Sequence, residues 1–107
     1  MIRTVIVDDD FLVRSYLKQL HAWERAGYQL VADARDGEEA LDVLERLGPE
    51  VLITDISMPL MDGIELIRRV RERNRAVHII VLSCHDDFEY VKEAMRLGAD
   101  EYVLKNS

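Results

Sequence analysis

Five short apolar runs divide this chain, and helical patterns separate them. The runs are Thr4–Val7, Tyr28–Ala34, Val51–Thr54, His78–Ser83 and Tyr102–Leu104. After the first run, Leu12, Tyr16 and Leu20 recur at helical spacing, and similar stripes follow the next three runs. Strands that alternate with helices predict an α/β fold made of βα units around a mostly parallel sheet.

The pattern supplies helices after only four of the five strands. A doubly wound sheet normally has both faces covered by helices, so one patch of this sheet would lack cover. We expect residues 1–107 to be a single domain that is truncated before its last helix. Cover from another chain is one alternative, and a homodimer would supply it. A frayed, less stable edge of the sheet is the other alternative.

Composition narrows the class of protein. The 107 residues carry a net charge of −7, which repels phosphate backbones and argues against direct nucleic-acid binding. No apolar run approaches the ~20 residues of a membrane span, and no secretory signal precedes the first strand. Cys84 is the single cysteine and cannot form an internal disulfide. These features predict a cytoplasmic domain.

Three of the apolar runs end in an acid or a base. Asp8, Asp9 and Asp10 follow the first run, Asp55 follows the third, and Lys105 follows the fifth. Because the carboxyl ends of parallel strands share one edge, where ligands bind, these groups should lie together. Oxygen ligands favour Mg²⁺, Ca²⁺ or Mn²⁺, and the sparse set suits Mg²⁺ with a phosphate. The pattern therefore predicts a divalent-cation and phosphoryl site.

Each of these residues also has a plainer interpretation. The acidic triplet could cap the following helix, although one acid would suffice for that. Asp55 could be a nucleophile towards phosphorus or a solvated loop aspartate. Ser83, at the end of the fourth run, could donate its hydroxyl to a phosphoryl oxygen or cap a turn. Lys105 could pair with the same oxygens or be a surface lysine.

Four motifs, in this order, resemble the receiver domain of two-component response regulators. They are Val-Asp-Asp-Asp at 7–10, Asp-Ile-Ser-Met-Pro-Leu-Met-Asp-Gly at 55–63, Leu-Ser at 82–83 and Tyr-Val-Leu-Lys at 102–105. The second motif is the most specific. The resemblance covers the whole chain and implies a flavodoxin-like sheet of strand order 2-1-3-4-5, with the fifth helix missing from this chain.

The resemblance also implies a role for each matching residue. Asp55 would accept a phosphoryl group from a sensor histidine kinase. Asp9, Asp55 and the backbone carbonyl of Ser57 would hold Mg²⁺, and Asp8 would act through a bound water. Ser83 and Lys105 would contact the phosphoryl oxygens. Tyr102 would turn inward as Ser83 moves, which makes these two residues the switch.

A second resemblance concerns the rest of the protein. Trp23 with Gly27, and the string Asp-Asp-Phe-Glu-Tyr at 86–90, are similar to receivers joined to AraC-type DNA-binding regions. An output domain that regulates transcription would then lie outside this chain. Two departures stand out, because Asn106 follows Lys105 where the family usually has a proline, and Cys84 is bulkier than the usual glycine or alanine.

We considered four functions for a chain with these residues. The first is a phosphorylation switch, which catalyses only its own phosphoryl transfer and slow dephosphorylation. A phosphohydrolase with an aspartyl nucleophile would need an acid where Ser57 stands. A flavin or nucleotide binder would not have an acidic first loop. A receiver-like interaction module that no longer needs phosphorylation is the remaining alternative.

A cluster of basic residues has no predicted functional role. Five arginines lie within residues 68–75, after the Asp55 motif. In an acidic domain we expect them to form a solvated helix face.

Overall fold

The computed structural model describes residues 1–83 and 88–105. The strands are β1 (Ile2–Val7), β2 (Tyr28–Ala34), β3 (Val51–Asp55), β4 (His78–Ser83) and β5 (Glu101–Leu104). The helices are α1 (Phe11–Gln19), α2 (Ala22–Arg25), α3 (Gly37–Leu47), α4 (Gly63–Arg73) and α5 (Phe88–Leu97). All strand pairs are parallel, and the order is β2-β1-β3-β4-β5. The predicted α/β fold, sheet and strand order are confirmed.

The helix count differs from the prediction in one respect. The four predicted helices are present, and α2 is an additional four-residue helix between α1 and β2. It was missed because four residues cannot show a helical repeat. Across the described parts of the chain, no helix follows β5.

Helix starts and ends follow local chemistry. The side chains of Asp10, Asp36 and Asp62 each accept a hydrogen bond from a backbone N–H in the first turn of α1, α3 and α4. The end of α3 is set by Gly48, whose φ of 54° lies in the left-handed region that favours glycine. The caps at Asp10 and Asp62 lie in the loops that follow Asp8 and Asp55.

The two faces of the sheet are covered unequally. One face, lined by Val5, Val7, Leu52, Ile79 and Val81, packs under α3, α4 and α5 with fully buried side chains. On the other face the buried apolar side chains among the described residues are Ile6, Val51 and Ile53, which come from β1 and β3. Around these three residues Leu17, Trp23, Ile80 and Leu82 are only partly buried. The expected shortage of cover is therefore visible within the described residues.

The arginine cluster contains one exception to the expected solvated face. Arg71 lies with its side chain only 15% exposed, and it donates to the carbonyls of Gly98 at 2.9 Å and Val77 at 2.8 Å. It also pairs with Asp100 at 2.9 Å. The prediction is wrong for Arg71, because its position on α4 faces the C-terminal end of α5 rather than solvent. The other four arginines are exposed, as expected.

Candidate functional site at the carboxyl edge of the sheet

The strand ends bring the predicted acids together. Carboxylate oxygens of Asp8, Asp9 and Asp55 lie within 4.8 Å of one another. Asp8 directly follows β1 and is 1% exposed, whereas Asp55 is the last residue of β3 and is 4% exposed. Asp9 is solvent-exposed beside them. Two adjacent parallel strands therefore present two nearly buried carboxylates and one accessible carboxylate at the same edge.

The three aspartates at positions 8–10 have two different roles. Asp10 caps α1, since its Oδ1 accepts from the N–H of Leu12 at 2.8 Å. Asp8 Oδ1 accepts from the N–H of Asp10 at 2.9 Å, which fixes the loop. The capping interpretation thus holds for Asp10, while Asp8 and Asp9 belong to the carboxylate cluster.

Lys105 reaches the cluster from β5. Its Nζ lies 2.9 Å from Asp55 Oδ2 and 3.9 Å from Asp8 Oδ2. The backbone N–H of Lys105 donates to the carbonyl of Ser83 at 2.8 Å, which holds the end of β5 against β4. The ammonium therefore neutralises part of the acidic charge and lies beside the proposed acceptor oxygen. Lys105 is exposed, as a surface lysine would be, but its ammonium lies against two carboxylates of the cluster.

Two buried polar atoms at this edge lack hydrogen-bond partners among the described residues. They are Asp8 Oδ2 and Ser83 Oγ. A buried polar group without a partner costs about 1–3 kcal/mol, so each of these atoms would gain from a ligand. Ser83 pairs across the sheet with Leu104, next to the Asp55–Leu82 pair of β3 and β4. The hydroxyl therefore belongs to the same edge as Asp55.

Burial raises the pKa of the Asp8 carboxyl above its ordinary value. The neighbouring charges of Asp55 and Asp9 raise this pKa further, while the hydrogen bond from Asp10 and the charge of Lys105 lower it. The net upward shift means that the ionised form of Asp8 is under-stabilised. A cation at the cluster would correct this imbalance.

The donor set fits a hard divalent cation. Every candidate ligand atom in the cluster is a carboxylate oxygen, which Mg²⁺ and Mn²⁺ prefer, and Asp8 Oδ2 is buried without a donor in residues 1–83 or 88–105. The Ser57 N–H lies 3.4 Å from Asp55 Oδ1, so the loop after β3 turns back over Asp55. No ligand role of the Ser57 carbonyl is visible, and that role stays a prediction.

Gly63 explains how the loop after β3 closes. Its N–H donates to the carbonyl of Ile56 at 2.7 Å, and a Cβ at this position would lie 2.4 Å from the carbonyl oxygen of Asp55. Any larger residue would push α4 away from the end of β3. Leu60, in the same loop, has a φ of 67°, which is uncommon for a residue with a side chain. The string after Asp55 is therefore a tight backbone fit.

Tyr102 and the departures from the motif have separate outcomes. Tyr102 is 53% exposed on β5, so its ring is largely in solvent. Its predicted inward movement stays a prediction. Cys84 and Asn106, the two departures from the motif, lie outside the described residues.

Sequence reasoning missed two residues beside the site. Arg14 on α1 donates to the carbonyl of Asp8 at 2.5 Å, and Asp33 near the end of β2 accepts from Arg14 Nε at 2.9 Å. In the sequence, each of these two residues is a charged residue within an apolar segment. Charged residues in such segments are too common for either position to be singled out.

This edge, with its acidic cluster, lysine and serine on the strand order 2-1-3-4-5, has the form of a phosphoacceptor signalling domain. Residues 4–107 match the response regulator receiver domain, so the chain belongs to this family. The helices in the described residues are all too short or too polar to span a bilayer.

Individual relatives agree with the family. The chain is 40% identical over 104 residues to the transcriptional regulatory protein DegU of Brevibacillus brevis, covering 97% of this chain and 44% of that protein. It is 39% identical to the receiver domain of AraT from Geobacillus stearothermophilus, with a TM-score of 0.87 and coverage of 100% and 84%. A LuxR-family DNA-binding response regulator from Staphylococcus aureus has 27% identity, a TM-score of 0.90 and coverage of 100% and 88%.

The curated relatives are longer than this chain. The chain spans 44% of DegU, 28% of the Bacillus subtilis transcriptional regulatory protein YesN and 41% of the S. aureus transcriptional regulatory protein HptR. The homology therefore extends to receivers of transcriptional regulators, and it covers less than half of those proteins.

Proposed function

We propose that this domain is a phosphorylation switch whose acceptor is Asp55. The observation that carries the proposal is the setting of the Asp55 carboxylate, which is 4% exposed, pairs with Lys105 at 2.9 Å and lies within 4.8 Å of the other two acids. A carboxylate in this setting is positioned as a nucleophile beside a cationic partner for the incoming phosphoryl group.

The donor in this proposal is a phosphohistidine of a sensor kinase. A carboxylate oxygen of Asp55 attacks phosphorus, the P–N bond to the imidazole breaks, and the imidazole takes a proton from solvent. An acyl phosphate forms on Asp55. Lys105 then pairs with a phosphoryl oxygen, and the unpartnered Ser83 hydroxyl can donate to another.

We propose Mg²⁺ as the cofactor, with Asp9, Asp55 and the carbonyl of Ser57 as ligands and Asp8 acting through a water. When bound, Mg²⁺ neutralises charge on the carboxylates and on the transferring phosphoryl group. The chain's own contribution is to hold three acids at one edge and to keep Lys105 beside the acceptor. On this proposal the domain catalyses only its own phosphoryl transfer and slow dephosphorylation.

Intact mass tests the acceptor directly. We expect incubation with acetyl phosphate and Mg²⁺ to add about 80 Da, as one phosphoryl group requires. Without Mg²⁺, or in Asp55→Asn, the gain should be absent. Asp62→Asn is the matched control, because Asp62 caps α4 in the same loop and asparagine caps as well. No gain in a folded wild-type sample would instead favour the receiver-like interaction module.

Readout in this proposal passes through Ser83 and Tyr102. Phosphorylation adds about −1.5 to −2 charge units. The Ser83 hydroxyl and the Lys105 ammonium can move to bind the charged phosphoryl group. Tyr102, now largely in solvent, would turn inward as Ser83 moves. Ring exchange broadening of Tyr102 in NMR spectra, lost on phosphorylation, would support this step; unchanged ring signals would contradict it.

We further propose that residues 1–107 act as one domain of a longer, cytoplasmic protein. The support is that the transcriptional regulators it matches are more than twice its length. An output domain, of AraC type by resemblance, would receive the signal, and this domain would not contact nucleic acid itself. Homodimer formation through the less covered sheet face stays a prediction, and an unchanged monomer mass in light scattering would contradict it.

A further inference from the structure

Arg14 connects the acidic loop to β2 from outside the carboxylate cluster. Its Nη1 donates to the backbone carbonyl of Asp8 at 2.5 Å, and its Nε donates to Asp33 Oδ2 at 2.9 Å. The Arg14 side chain is only 11% exposed, although it lies on α1, which has no fully buried residue. An arginine that is shielded on such an exposed helix is held there by these contacts.

The bond to the Asp8 carbonyl bears on the geometry of the next residue. This carbonyl belongs to the peptide plane between Asp8 and Asp9, so its direction helps to set where the Asp9 side chain projects. On the other side of Asp8, the backbone N–H donates to the carbonyl of Ala34 at 3.0 Å. A charged donor makes a stronger hydrogen bond than a neutral one, which makes Arg14 a firm restraint on this plane.

The positive charge of Arg14 is paired with a carboxylate outside the Asp8–Asp9–Asp55 cluster. The guanidinium is always ionised and pairs with Asp33, which also accepts from Lys18 Nζ at 3.3 Å. At the acidic loop Arg14 contacts a carbonyl oxygen, not a carboxylate oxygen. It can therefore shape the loop without occupying an oxygen that a cation would use.

We propose that Arg14 is a positioning residue for the cation site, acting through the Asp8 carbonyl and anchored by Asp33. The inference rests on the proposed function, since it assumes that the cluster binds a divalent cation. Loss of Arg14 leaves all three carboxylates in place but frees the peptide that orients Asp9. The affinity for the cation then falls while the ligand set is unchanged.

The test measures Mn²⁺ affinity of the unphosphorylated protein from the electron paramagnetic resonance signal of free Mn²⁺. We expect Arg14→Met to weaken binding about tenfold, the lower end of the range for residues that orient metal ligands. Lys18→Met is the matched control, because Lys18 lies on the same helix and contacts the same Asp33. It should bind Mn²⁺ as the wild type does.

Asp33→Asn separates the anchor from the positioning residue. It keeps Arg14 but weakens the anchor, so we expect a smaller loss of Mn²⁺ affinity. Because Asp33 acts through Arg14, the double variant should bind no more weakly than Arg14→Met alone. Additive losses would contradict the proposed anchoring.

The outcomes distinguish the two proposals. A merely structural Arg14 would lower the unfolding temperature and leave the Mn²⁺ affinity of the folded protein unchanged, which would overturn this inference. Absence of Mn²⁺ binding in the wild type would overturn the proposed function as well. If Arg14→Met fails to fold by circular dichroism, Asp33→Asn carries the test, and wild-type affinity in that variant would overturn the inference.

Discussion

At the amino-terminal edge of the sheet, charged groups are paired with one another and with backbone groups. At the carboxyl edge, three carboxylates lie close together and Lys105 contacts two of them. At the first edge, Asp100 pairs with Arg71 and accepts from the N–H of Ile79 at 2.8 Å. At the second, Asp8 Oδ2 is buried without a hydrogen-bond donor among the residues described. The first arrangement contributes stability, and the second keeps binding capacity at the expense of stability.

The largest effect should come from removing a paired group at the amino-terminal edge. Arg71→Met leaves the carbonyls of Gly98 and Val77 without this donor, and we expect the free energy of unfolding to fall by about 3 kcal/mol. Urea denaturation measures this. The control Arg46→Met removes an exposed pair with Asp42 and should cost less than about 0.5 kcal/mol. Equal losses would remove the contrast between the shielded Arg71 side chain and the exposed Arg46 side chain.

Metal addition should act only at the carboxyl edge. Mg²⁺ at about ten times its Kd should raise the free energy of unfolding by about 1.4 kcal/mol, and removal with EDTA should reverse this. Asp9→Asn should lose most of the effect, because it removes the accessible carboxylate of the cluster. Stabilisation of Asp9→Asn equal to that of the wild type would show that Mg²⁺ binds elsewhere.

A somewhat smaller effect should follow when one of the crowded acids is neutralised. Without metal, Asp8→Asn should stabilise the protein by roughly 1 kcal/mol. It removes the cost of burying the charged carboxyl, and it also relieves repulsion from Asp55 and Asp9 that Lys105 only partly offsets. Thermal unfolding in EDTA measures this. Asp36→Asn is a suitable control, because Asp36 caps α3 away from the cluster and asparagine retains the cap. Destabilisation by Asp8→Asn would contradict the proposed crowding.

The smallest effect is a pH dependence of the difference in stability between Asp8→Asn and the wild type. The pKa of Asp8 is raised on folding, so the folded protein holds this proton more tightly than the unfolded chain. In metal-free protein, the contribution of Asp8 to stability is therefore greatest at pH values below the unfolded pKa of about 3.8 and is lost as pH rises through the folded pKa. The advantage of Asp8→Asn over wild type should grow over that interval. A constant difference between pH 3 and pH 7 would contradict this assignment of the shift.

The periodic parts of the molecule were predictable from sequence, and the contacts between distant residues were not. The five strands, the four longer helices and the carboxylate cluster follow from apolar runs and from where each run ends. Asp8 and Asp10 are two positions apart in sequence, yet Asp10 caps a helix and Asp8 joins the cluster. Only the geometry of the loop separates those roles.

Two arginines illustrate what the sequence did not reveal. Arg71 lies in a run of charged residues and Arg14 in a helical stripe, and neither position differs locally from a solvated one. Their partners, Asp100 and Asp33, are 29 and 19 residues away. Such pairings depend on how the elements pack, which propensity and periodicity do not encode.

The unequal cover of the sheet has a consequence for spectroscopy. Trp23 is the only tryptophan of the chain, and it lies on the less covered face, where its indole N–H donates to the carbonyl of Leu17 at 2.8 Å. Its ring meets Tyr28 edge-on at 6.2 Å and borders an apolar groove that extends to Leu82 and Val103. Because indole emission depends on contact with water, the protein contains an intrinsic fluorophore that would shift to the blue when anything apolar occupies that groove.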